Sequence, residues 1–281
     1  MKIHYDLQVV QGYIRDQRRL TLQDYFPVFE NTLKRIRRFK EINSSTKILE
    51  VGTGSGWFPI LCKKNGIACE GIEICPQFVD YAYEFGRVNG VEPDIRLGNI
   101  EEEDIGLSKY DVIIALSTFE HVEHWRRGLS KIYDALKPGG LFYFYSTNRF
   151  SLRSGEFKMP FYGWLPDRWR YRIRIARSGE EIMKLGIDFN QFNNFQLTHF
   201  FSELGYEKVV DQFGIVDPGR LVQWKRWKVV VLKLAQYVKP IRWFGLLFAG
   251  GTLFICVKKG GRGESGSHIG GEREDAWTVK T

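Results

Sequence analysis

The chain has 281 residues, with 41 Lys and Arg against 33 Asp and Glu, giving a net charge of +8. Its 43% hydrophobic and 15% aromatic content is ample for a buried core, which sets aside a disordered polyelectrolyte and fits one large domain with elaborations. Cys62, Cys69, Cys75 and Cys256 form no C-x-x-C pair and the opening residues show no apolar signal core, so free thiols in a cytoplasmic setting are expected, not a zinc site or a disulfide framework.

Residues 1–45 form a helical cap. Tyr25, Phe26, Phe29, Leu33, Ile36 and Phe39 recur at helical spacing, with Lys34, Arg35, Arg37, Arg38 and Lys40 mostly on the other face. That basic face is either a lid or lipid-facing surface, or the solvated side of a packing helix. Asn43-Ser44-Ser45 breaks the pattern. Lys47 to Val51 then reads as a strand entering a turn with Gly52, Gly54 and Gly56, followed by a helix. Such a turn lets a ligand approach the backbone, and the helix start offers free N–H groups to an anion. A dinucleotide fingerprint would put the third glycine at Trp57. Here it stands one place earlier, giving Glu50-x-Gly52-x-Gly54-x-Gly56.

Ala68 to Glu73 is a second strand ending in an acid, seventeen residues after Gly56. A carboxylate there can accept from both hydroxyls of a ribose. Pro76 opens a helix that stops at Asn89-Gly90. Ile95 to Ile100 is a third strand with its following loop, and Glu101 to Asp104 reads as a solvated loop and helix start. Tyr110 to Leu116 is a continuous β-branched run, as in a central parallel strand. Its end, Ser117-Thr118-Phe119-Glu120-His121-Val122, faces the ligand side of an open α/β sheet. A helix through Leu136, the turn Leu136-Lys137-Pro138-Gly139-Gly140, and a fifth strand, Leu141 to Tyr145, follow.

The glycine turn, then D-V-I-I-A-L-S-T-F-E-H-V, L-K-P-G-G-L and Ser146-Thr147-Asn148-Arg149, resembles the class I S-adenosylmethionine (SAM)-dependent methyltransferases. Within them it is similar to the branch holding the ubiquinone-biosynthesis O-methyltransferases and relatives from lipid and glycan pathways. The likeness covers residues 46–150, more weakly to about 213. It implies a Rossmann-like α/β fold, a seven-stranded mostly parallel sheet flanked by helices. SAM would be held by Glu50, Gly52, Thr53, Gly54, Gly56, Glu73, Ile74, Asn99, Ile100 and Leu116, and an acceptor would lie near Asn148 and Arg149. Asn99 either reads the adenine edge with the next backbone N–H or closes an Asx-turn.

Metal-assisted members of that branch carry an acid three residues before the Glu-His pair, where this chain has Ser117. No obligatory metal is therefore expected. His121 is the candidate catalytic base, since imidazoles accept protons near neutral pH. Glu120 sets its tautomer or binds the SAM amino group. Against this stands a purely structural His121 that caps the following helix.

Residues 151–195 form an inserted lid or substrate region in which aromatics alternate with Arg168, Arg170, Arg172, Arg174 and Arg177. Stacking on nucleic acid is the disfavoured reading. Residues 196–259 complete the fold: a helix from Leu197 to Leu204, a sixth strand from Tyr206 to Phe213 and a seventh from Thr252 to Val257. They include an amphipathic segment, 224–248, broken at Pro240. It reads either as a hairpin in a membrane interface, or as a homodimer interface or added core. Residues 260–281 are expected to be a disordered tail. The expected function is SAM-dependent methylation, of oxygen before nitrogen, on a small-molecule, lipid or glycan-linked acceptor. It would act in the cytoplasm or peripherally at the inner membrane face. A non-catalytic SAM-fold subunit is the alternative.

Overall fold

A computed structural model describes residues 8–153, 157–187, 189–216 and 226–260, apart from the side chains of Trp227 and Lys228. The tail predicted from residue 260 lies outside these residues except for Gly260, as do Trp224 and Lys225 of the amphipathic segment.

The strands are β1 (Lys47–Val51), β2 (Ala68–Glu73), β3 (Asp94–Leu97), β4 (Tyr110–Leu116), β5 (Leu136–Thr147), β6 (Tyr206–Asp211) and β7 (Gly251–Lys258). They form one sheet in the order β3-β2-β1-β4-β5-β7-β6. The first five strands run parallel, and β7 lies antiparallel between β5 and β6. The order reverses at β1, where chain neighbours part to either side and open a crevice at their carboxyl ends.

The helices are α1 (Gln8–Gln17), α2 (Leu22–Ile36), α3 (Trp57–Lys64), α4 (Pro76–Val88), α5 (Trp125–Ala135), α6 (Asp167–Ser178), α7 (Glu181–Lys184), α8 (Asn194–Glu203), α9 (Gln212–Ile215), α10 (Arg226–Tyr237) and α11 (Lys239–Leu247). Alternation along β4 divides the core. Val112 and Ile114 pack with Phe29, Leu33 and Phe58 of α2 and α3, whereas Ile113 and Ala115 pack with Leu129, Ile132, Leu197 and Phe201 of α5 and α8. Burial on both faces explains the unbroken apolar run of that strand.

Four local expectations need correction. The basic face running from α2 to Lys40 is only partly solvated: Lys34, Arg37 and Arg38 are exposed, yet Arg35 donates to Tyr143 Oη at 2.9 Å, Arg38 to the Ile215 carbonyl, and Lys40 to Gly139 O at 3.3 Å. Leu136-Lys137-Pro138-Gly139-Gly140 is the irregular start of β5, its register shifting between Tyr110 and Val112. The sixth strand stops at Asp211, whose carboxylate accepts from the N–H groups of Phe213 and Gly214 and so opens α9. The run from Glu101 to Asp104 starts no helix, and Glu101 is buried, with Oε1 accepting the His124 N–H at 3.0 Å.

The amphipathic segment is a helical hairpin, α10 and α11, with Pro240 in the first turn of α11 where its missing N–H costs nothing. Leu232, Ala235 and Leu246 are buried, while Trp243 and Phe244 are 62% and 66% exposed. Trp164 of the inserted region stacks on Phe248 beyond α11 at 5.9 Å, and Phe161 meets Trp164 at 5.6 Å. The two aromatic regions therefore form one continuous surface.

Candidate active site

A cavity of about 700 Å³ lies outside the carboxyl ends of β1, β2, β4 and β5. The three glycines of the turn all have positive φ, yet each is required for a different reason. A Cβ on Gly52 would lie 2.3 Å from Thr118 Cγ2, and Thr118 Oγ1 donates to Val51 O at 2.9 Å, so this glycine lets the β4 tip close onto β1. A Cβ on Gly56 would meet Ala82 Cβ at 2.7 Å and Ile95 Cδ1 at 2.8 Å, so that glycine sets the packing of α4 and β3. Gly54 has no atom within 4 Å of its Cβ position and lines the cavity. Its surroundings are empty on the ligand side, as a cradle for the aminoacyl end of SAM requires.

Glu73 joins the turn to the tip of β2. Its Oε2 accepts the Gly54 N–H at 2.8 Å, and its Oε1 accepts those of Ile74 and Cys75 at 2.9 and 3.0 Å. Burial raises its pKa, against the pull of these three donors. The carboxylate borders the cavity, so ribose hydroxyls can complete its acceptor capacity. Glu50 is placed differently. It is buried behind the turn, with Oε2 accepting from Thr53 Oγ1 at 2.5 Å. Burial pushes its pKa up to about 8, while the Thr53 bond opposes the shift. Glu50, Thr53 and Gly56 shape the loop from behind, without lining the cavity.

Ile74, Asn99 and Ile100 line the cavity on the β2 and β3 side. Asn99 Oδ1 accepts the Glu101 N–H at 3.0 Å, which is the Asx-turn, and the side chain still borders the cavity. Leu116 does not border it; the next residues, Ser117 and Thr118, do. Ser117 takes φ +53 and donates its N–H to Tyr145 O at 2.9 Å. Among the described residues no group of three or more His, Cys, Asp or Glu side chains is placed to share a metal ion.

Glu120 and His121 lie in the 3₁₀ turn Phe119–His121, and both line the cavity. Ser146 Oγ, at the end of β5, donates to the buried Glu120 Oε2 at 2.5 Å. His121 Nδ1 is buried and has no hydrogen-bond partner. The turn is held from behind by Asn190, whose Nδ2 donates to Phe119 O and Val122 O. The following helix has His124 at its N-cap, without a side-chain capping bond, so His121 does not cap α5.

The two predicted substrate residues part company. Asn148 borders the cavity, but its Nδ2 lies 3.0, 3.1 and 2.9 Å from the carbonyls of Leu246, Leu247 and Ala249, tying β5 to the end of α11. Arg149 lines a separate cleft. Residues the sequence reading passed over include Tyr145 and Ser146, from the fifth strand end, and Val10, Tyr13 and Gln17 of α1. The strand ends were open to the same argument as Glu120; α1 carried no motif.

Residues 23–216 match the family described as "Methyltransferase domain". A ubiquinone biosynthesis O-methyltransferase of Rickettsia conorii is 29% identical over 106 residues, which are 38% of this chain and 36% of that protein. The chain thus spans little more than a third of that relative. A SAM-dependent methyltransferase from Archaeoglobus fulgidus superposes with a TM-score of 0.52 at 16% identity, covering 88% of this chain and 99% of that one. A Haemonchus contortus phosphoethanolamine N-methyltransferase 2, solved with S-adenosyl-L-methionine, gives 0.50 to two decimals at 15% identity, covering 82% and 52%. These structural likenesses carry the fold. With the family match over most of the chain and a turn, acid and cavity that fit SAM, the chain belongs to the methyltransferase-domain family of SAM-dependent enzymes.

Proposed function

We propose that the protein moves a methyl group from SAM to a hydroxyl oxygen of an acceptor, with His121 as the general base. SAM when bound supplies a methyl group on a sulfonium, an electrophile that needs no further activation. The chain's own work is to hold both partners in line, exclude water and receive a proton. Gly54 leaves open space beside the backbone for the aminoacyl end of SAM, the start of α3 offers its N–H groups to the carboxylate, and Glu73 serves the ribose. On the acceptor side, His121 takes the hydroxyl proton as the oxygen gains its methyl. Glu120, fixed by Ser146 and next to His121 in the same 3₁₀ turn, supplies a negative charge to the site as the imidazolium forms.

The observation that carries this reading is that His121 lines the same cavity as Gly54 and Glu73 while its buried Nδ1 has no hydrogen-bond partner among the described residues. A buried ring nitrogen left without a hydrogen bond is costly unless a ligand completes it. A base supports oxygen over nitrogen: a hydroxyl must shed its proton to attack, whereas a neutral amine attacks through its lone pair. The test is His121→Ala, expected to lower kcat about 10²-fold or more with SAM affinity unchanged. A loss below about tenfold discards the base.

The acceptor is proposed to be lipid-borne, reached from a membrane surface. Gly163 and Ser151 line the cavity, and Trp164 Nε1 donates to Ser151 O at 3.2 Å. The row from exposed Phe161 and Trp164 through half-buried Phe248 to exposed Phe244 therefore starts at the cavity wall, with Arg168, Arg172 and Lys239 exposed near it in sequence. Aromatics beside basic residues suit an anionic interface.

A further inference from the structure

The strap of residues 189–193 separates the methyl-transfer cavity from a second cleft of about 420 Å³. Five parts of the chain meet there: Arg149 just beyond β5, the start of α5, the start of α6, the strap and the start of α8. Arg149 is the second residue after β5. Its N–H donates to Phe192 O at 2.6 Å, which pins its backbone to the strap. Arg149 lines the cleft, and its guanidinium makes no hydrogen bond or ion pair with the described residues.

The second guanidinium is that of Arg170, only 1% exposed. Its Nη2 meets Asp167 Oδ1 at 2.8 Å, and that carboxylate also lines the cleft. Asp167 therefore balances Arg170, and Arg149 is left without a counter-ion among the described residues. The ten-residue helix α8 begins at the same place, capped by Asn193, whose Oδ1 accepts the Gln196 N–H at 2.8 Å. Both residues line the cleft, so the positive end of the helix adds to the field of Arg149. A cleft lined by a guanidinium that has no counter-ion among the described residues, at the start of a helix, suits an oxyanion. Arg149 and the first turn of α8 come from two elements, and approach from two directions suits the three oxygens of a phosphoryl group better than the two of a planar carboxylate.

We propose that this cleft binds a phosphoryl group, with Arg149 as its principal ligand. Gln191 lines both the cleft and the methyl-transfer cavity, so the two spaces adjoin. An acceptor passing Gln191 sets its hydroxyl beside His121 and its phosphoryl beside Arg149; this placement, unlike anion binding itself, rests on the function proposed above. It gives Arg149 a substrate role away from the reacting atoms.

The test uses inorganic phosphate and the S-adenosylhomocysteine-loaded protein at low salt, read by ³¹P line broadening. Saturable broadening is expected. Arg149→Gln should weaken phosphate binding about tenfold or more, and Arg149→Lys, which keeps the charge but not the fork, by less. Retained S-adenosylhomocysteine binding reports that the variants fold. Arg87→Gln, at an exposed arginine of α4, should bind phosphate as the parent does. No saturable broadening, or equal effects of Arg149→Gln and Arg87→Gln, overturns the proposal. His121→Ala should leave phosphate binding intact, so failure of the base and failure of the subsite are separable. Competition by phosphate against methylation of a cell extract assigns the group to the acceptor; saturable binding through Arg149 without competition assigns the cleft to a free anion.

Discussion

Thr118 Cγ2 lies 2.3 Å from where a Cβ on Gly52 would stand, and Thr118 Oγ1 lies 2.4 Å from it. The tip of β4 is thus seated on the bare backbone of the glycine turn. Gly52→Ala combines this overlap with φ +71 and is expected to cost about 3 kcal/mol in denaturant unfolding. Thr118→Ala in the same chain removes both close atoms and should restore part of that loss, a coupling a double-mutant cycle measures.

Gly54→Ala should behave in the opposite way. No neighbour crowds its Cβ, so the stability loss is limited to about 1 kcal/mol for a side chain at φ +53. The added methyl projects where Gly54 borders the cavity, and SAM affinity by calorimetry should fall about tenfold or more.

Glu50 gives a pH signature. Its folded pKa is raised to about 8 from 4.5, so the folded state holds a proton that the unfolded state has released. The resulting stabilisation is full below about pH 4.5 and is lost as pH rises toward 8. Within that window this one group contributes a fall of up to about 1.4 kcal/mol per pH unit. Glu50→Gln, which can still accept from Thr53, should flatten the dependence of ligand-free unfolding between pH 5 and about 8. An unchanged slope would show that Glu50 does not carry it.

Glu73→Ala removes the acceptor of three backbone N–H groups as well as the proposed ribose contact. SAM affinity is expected to fall about 100-fold, since charge-assisted hydrogen bonds are worth about 1.5–3 kcal/mol each. Glu73→Gln offers one oxygen where the carboxylate uses two, and should fall between.

Trp243→Ala with Phe244→Ala tests the membrane reading. Two largely exposed rings on α11 contribute little to the fold, so unfolding should be nearly unchanged while co-sedimentation with anionic vesicles falls about tenfold or more. Equal sedimentation of the double variant would remove the aromatic surface from that role.

What the sequence disclosed follows the range of each interaction. The glycine turn, Glu73 and the β4 tip were legible because backbone conformation and strand order over a short stretch fix them. Asn148 and Arg149 are adjacent, yet one is bound to the end of α11 and the other faces a second cleft. That difference depends on residues 189–193 and 246–249, which no local pattern ties to β5. The basic face of α2 misled for the same reason, since its partners Gly139, Tyr143 and Ile215 lie far along the chain. Glu101 looked solvated among its acidic neighbours, and only the approach of the His124 N–H buries it with a partner.

The antiparallel insertion of β7 has a consequence for synthesis. Leu141 pairs with Val257, and Tyr206 with Lys258, so β5, already paired with β4, keeps its other edge open and β6 has no partner strand until almost the whole described chain has left the ribosome. The SAM-binding side, β1 to β4, has its partners much earlier. A nascent chain therefore reaches a stage with a formed cofactor half and an open edge along β5, where chaperones or stray strands can pair until Gly251 to Lys258 arrives to seal it.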